Sequence, residues 1–224
     1  MRNLLQRPSA NAEFALVVAG AFGLLVGQSL VAVLSPPKAV AFSQAELWWT
    51  IAYEAAALCL LGSFLYVRGW KGDRLGLASH WSDAPIGFGL ALGVYWIARM
   101  VLELLAATSP SLAQAASGTQ ALPHNLSVWV VAAAVLVSPF FEEFFVTGYV
   151  ISALKEKWGE TWAVNVSVAL RLLYNIDQGV GGVITIIPLG LIFAYWFSRT
   201  KRLWPLVAAH AVFVLVSLLY AMKS

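Results

Sequence analysis

Glu142 and Glu143 stand side by side in FEEFF, residues 141–145, between the apolar runs VWVVAAAVLVSPF and FFVTGYVISAL. Two carboxylates inside lipid-length apolar sequence are costly, and intramembrane carboxylates mark a pathway or a reaction site. Three other polar side chains interrupt apolar runs nearby: Arg171 and Asn175 in RLLYNIDQG, and His210 in PLVAAHAVFV. A carboxylate can act as general base and an imidazole exchanges protons near neutrality. An amide donates and accepts hydrogen bonds but takes up no proton. Taken alone, His210 reads as an interhelical hydrogen-bonding residue, and Asn175 as helix glue or a C-cap before a glycine-rich turn. The Glu pair is what points to function.

The elements that must carry these residues are membrane helices. Of 224 residues, 60% are apolar and 11% charged, a membrane composition. Apolar spans are expected at about 13–34, 47–67, 84–107, 127–154, 161–176, 181–198 and 204–221, an all-α polytopic bundle of about seven spans. Arg2 and Arg7, then Arg68, Lys71 and Arg74, then Lys155 and Lys157, then Arg199, Lys201 and Arg202 all fall on one side. The positive-inside rule puts that side, and the N-terminus, in the cytoplasm. Ten Trp, most near span ends, fit two membrane interfaces. RGWKGDRLGLASHWSD is expected along the cytoplasmic interface. Residues 1–126 read as N-terminal helices and loops and 127–224 as the site-bearing core of one integral domain. The net charge of +3 lies in short clusters, so no nucleic-acid partner is expected. Cys59 alone allows neither a disulfide framework nor a thiolate metal site.

Helical rise places the side chains. With the fourth helix running to Leu154, Glu142 lies roughly 18 Å above its cytoplasmic end. Asn175 climbs back to nearly that height from Trp162, and His210 reaches roughly 12 Å from Arg202. One layer holding Glu142, Glu143, Asn175 and His210 is expected, with the two adjacent Glu diverging by about 100°. Arg171 lies one turn below Asn175, much as Thr147 lies one turn below Glu143. A lone Arg at that depth is expensive, so Arg171 is expected to pair with the Glu layer. Arg99 and Glu103, at i,i+4, are expected to pair or to line the cavity. His80 and His124 fall in expected loops and read as surface residues.

From about Val128 to Tyr220 the chain resembles the CPBP intramembrane proteases, also called the CAAX-protease or Abi family. The family's first motif, two Glu, three further residues, then Arg and usually Gly, is met by Glu142, Glu143 and Gly148, with Thr147 in the Arg place. The second motif ends in His, where this chain has Asn175. Arg171, Tyr174, Gln178 and Gly179 around it resemble one bacterial branch. The last motif is met by Trp204, Pro205 and His210, with Val214 where Asn or Asp is often found.

The resemblance implies an intramembrane endopeptidase acting on a membrane-associated peptide or protein, prenylated substrates among them, in a bacterial inner membrane. It makes Glu142 the general base, Glu143 its support and His210 a donor to the tetrahedral intermediate, with Asn175 holding water or polarising the carbonyl. Arg171, Thr147 and Tyr174 would support them. The family's metallo- label implies a divalent metal such as zinc on Glu142, Glu143 and His210, although one His with two Glu is a weak zinc set. Asn175 also admits a rival reading: a silent family member acting as a membrane binding, immunity or scaffold protein. A small transporter fits less well, because no interrupted helices recur in matched halves.

Overall fold

A computed structural model of the chain describes residues 9–35, 43–116 and 126–222; His124, Arg2 and Arg7 lie outside them. The described residues form helices α1 (Ala10–Leu34), α2 (Gln44–Val67), α3 (Asp83–Thr108), α4 (Pro110–Ala116), α5 (Val128–Glu142), α6 (Val150–Trp158), α7 (Glu160–Leu173), α8 (Gly179–Thr200) and α9 (Trp204–Ala221). A π-helical segment, Glu143–Tyr149, joins α5 to α6, and a 3₁₀ turn, Ile176–Gln178, precedes α8.

All seven expected apolar segments are helical, but they are not equal. Among the described residues, five continuous helical stretches are long and apolar enough to cross a bilayer: 10–34, 44–67, 83–108, 128–158 and 176–200. The helix from Trp204 is shorter. α7, expected to reach residue 176, ends at Leu173 after 14 residues, about 21 Å of helix against a hydrocarbon core of about 30 Å. The chain is an integral membrane protein whose α7 ends inside the bundle. α4 falls in a segment expected to be loop.

Local chemistry sets the ends. Ser43 and Glu46 form a reciprocal capping box that starts α2. Gly159, at φ +84°, separates α6 from α7, and Lys201, at φ +54°, stops α8 before Pro205 opens α9. The segment after α2 does not simply lie along the interface: Trp70 and Leu75 enter the core, and Trp70 Nε1 and Arg68 both donate to the Glu13 carboxylate on α1. Gly76 O accepts from Leu203 N, tying this segment to the start of α9. His80 is exposed, as expected of a loop residue.

α9 carries His210, and its position depends on α3. A Cβ on Gly87 would lie 2.5 Å from Pro205 O and 2.7 Å from Ala208 Cβ, so only glycine permits this approach. Gly87→Ala is therefore expected to destabilise the protein by about 1–3 kcal/mol and to lower its melting temperature in detergent. An unchanged melting temperature would show that the two helices can separate without cost.

Candidate active site: a carboxylate cluster held by an intramembrane arginine

The π segment decides how the two Glu are presented. Pro139, inside α5, has no N–H to give to the preceding turn, and from Glu143 the helix widens to i→i+5 bonding, a feature frequent at functional sites. Instead of diverging to different neighbours, Glu142 and Glu143 both bond Arg171 and both approach His210.

Glu143 is fully buried and fully engaged. Arg171 Nη2 lies 2.9 Å from each of its oxygens, Thr147 Oγ1 donates to Oε2 at 2.7 Å, and His210 Nδ1 lies 2.8 Å from Oε1. A carboxylate only accepts, so Nδ1 carries the proton in that bond and leaves Nε2 of neutral His210 as an acceptor. Arg171 also contacts Thr147 Oγ1 at 3.3 Å. The cation absent at position 147 thus arrives from α7, as the matched depths indicate. Its Nε is buried without a partner, and the guanidinium stands 6.0 Å from the Phe193 ring.

Glu142 is the reachable carboxylate, its side chain 18% exposed against 0% for Glu143. Its Oε2 accepts from Tyr174 Oη at 2.5 Å and from Arg171 Nη1 at 3.3 Å. Tyr174 is itself stacked on Phe22 of α1 at 4.9 Å. Glu142 Oε1 makes no hydrogen bond among the described residues and faces His210 Nε2 across 4.0 Å. An apolar groove of about 360 Å³ opens beside this helix, lined by Leu58, Tyr66, Trp70, Leu77, Phe140 and Phe144 among others.

Asn175 does not join the layer. Because α7 ends at Leu173, Asn175 lies past the cap, and its Nδ2 donates back to Arg171 O at 3.0 Å while its Oδ1 accepts from Gln178 Nε2. This is the C-cap arrangement, and no bond joins it to Glu142, Glu143 or His210. Val214 packs among the apolar residues around Ile51 and Val130. Arg99 and Glu103 bond each other at 3.0 Å on an exposed face of α3, away from the cluster.

The donor set does not fit a metal. Among the described residues no three His, Cys, Asp or Glu side chains come close enough to hold an ion. Arg171 already bonds both oxygens of Glu143 and Oε2 of Glu142, so a cation bridging the two carboxylates would have to displace a guanidinium.

Sequence reading passed over Glu54 and Ser138. Glu54, on α2, is 3% exposed and accepts from Ser138 Oγ, one turn before Glu142. A single carboxylate in the run TIAYEAAALCLL was signal enough.

Fold and cluster define a polytopic helical membrane protein with a buried Glu–Glu–Arg–His site. Residues 124–216 match the family model described as type II CAAX prenyl endopeptidase Rce1-like, and this segment holds all four residues of the cluster. No curated protein and no solved structure matches the chain.

Proposed function

We propose that the chain is an intramembrane endopeptidase that hydrolyses a peptide bond in a membrane-associated substrate. The supporting observation is the unequal treatment of the two carboxylates: Glu143 is spent on Arg171, Thr147 and His210, whereas Glu142 keeps one oxygen unbonded opposite His210 Nε2. Partners 4.0 Å apart can both hydrogen-bond one water oxygen between them. Glu142 takes the proton of that water as its oxygen bonds the carbonyl carbon. Tyr174 and Arg171 fix the carboxylate plane, and Arg171 offsets charge that builds on the carbonyl oxygen. The groove beside Phe140 and Phe144 suits the apolar flank of a membrane-anchored substrate, prenylated peptides included. The family and the single basic side of the helices favour a bacterial inner membrane.

The capping role of Asn175 favours a second reading, a silent family member that binds a membrane protein. An imidazole at 175 can keep the bond to Arg171 O and adds a titrating group. Because the Asn175 side chain bonds Arg171 O and Gln178 but none of Glu142, Glu143 and His210, Asn175→His is expected to keep the cap and to leave turnover of a membrane-anchored peptide within severalfold of the natural chain. If the natural chain and Asn175→His both bind such peptides and neither cleaves them, the binding reading replaces the enzymatic one.

A further inference from the structure

Glu54 enters the site region from a helix outside the family match. It stands on α2, which packs on α5, the helix that carries Ser138 and Glu142. Its Oε2 is bonded by Ser138 Oγ, and Ser138 and Glu142, four residues apart on α5, share one helix face. Its Oε1 has no hydrogen-bond partner, yet it is not among the sealed, unpartnered polar atoms of the described residues. No Lys or Arg among the described residues pairs with Glu54, whereas Glu142 and Glu143 are both held by Arg171. A bare charge so placed is expensive in a membrane interior, and carrying a proton removes the charge. Two carboxyl groups of one cluster, one held by a cation and one without, form the pattern that separates a base from an acid.

We propose that Glu54 is the proton partner of Glu142, the carboxylic acid that works against Glu142 as base and exchanges a proton with it across the Ser138 hydroxyl. The hydrolytic step rests on the reading above. Water gives a proton to Glu142 as its oxygen bonds the carbonyl carbon. The C–N bond breaks as nitrogen takes the proton of Glu54. Glu142 then passes its proton to Ser138 Oγ while the Ser138 hydroxyl proton moves to Glu54. One water has been added across the bond, and both carboxyl groups return to their starting forms. In this scheme the group that Asn175 cannot supply comes from α2.

The test uses the full chain reconstituted in vesicles, with Glu54→Gln, Glu54→Asp, Ser138→Ala and Glu142→Gln beside it. Infrared spectra at neutral pH should show a protonated-carboxyl stretching band that Glu54→Gln removes and that both Ser138→Ala and Glu142→Gln shift. With a membrane-anchored peptide, Glu54→Gln should lower kcat by about 10²–10⁴-fold at unchanged KM, and Glu54→Asp should recover part of it. It should also remove the alkaline limb that loss of the Glu54 proton gives the pH–rate profile; the titratable and charged groups gathered around its partner Glu142 are Glu143, His210, Arg171 and Tyr174. A merely structural Glu54 would tolerate the isosteric Gln without altering that profile. No turnover by the natural chain would overturn the hydrolytic reading alone. A band absent, or indifferent to Glu142→Gln, overturns the pairing whether or not turnover is seen.

Discussion

Arg171→Leu should cost about 3–5 kcal/mol of stability, by analogy with buried ion pairs in soluble cores. The guanidinium is the cation that meets both carboxylates, and Glu143, with no exposure at all, has no water to turn to when it is removed. Leu fills comparable space, so the loss would come from the uncompensated charge. Thermal unfolding in detergent should show a large fall. Thr147 lies beside both Glu143 and Arg171, so Thr147→Arg in the Arg171→Leu background should return part of the loss. Equal stability of Arg171→Leu and the natural protein would mean that Glu143 is not held as a charge.

Glu142→Gln should leave the fold in place and remove turnover by about 10²–10⁴-fold, the usual worth of a general base. The amide keeps the size of the side chain, and its oxygen still accepts from Tyr174, but it takes no proton from water. The contrast with Glu143→Gln makes the assignment specific. Glu143 anchors Arg171, Thr147 and His210, so its loss should reduce stability as well as activity. Identical stability losses for the two variants would mean that neither is free for chemistry.

The site was legible where helical rise alone determines position. Arg171 could be paired with the Glu layer because both lie in regular stretches, and rise converts residue number to depth. Two features escaped that arithmetic. The π segment from Glu143 changes the angle between neighbours, and nothing in FEEFFVTGY states its hydrogen-bond register. The end of α7 at Leu173 comes before a Gly or Pro punctuates the sequence, so Asn175 was carried into the layer by a helix that had already stopped. Five of the expected spans were readable from apolar length, whereas α7 was not, because a short helix packed inside a bundle is as apolar as one that crosses. Glu54 shows the opposite failure: its type was visible, but its relation to Ser138 and Glu142 depends on the packing of α2 on α5.

The central claim is that Glu142 directs water at a peptide bond within the membrane. Its most direct test is cleavage of a membrane-anchored peptide by the reconstituted protein in heavy-oxygen water, followed by mass analysis of the new carboxyl terminus. One heavy oxygen should enter that carboxylate with the natural chain, and Glu142→Gln should yield little or no product. Cleavage at equal rates by both proteins, or by neither across a broad set of membrane-anchored peptides, would contradict the account.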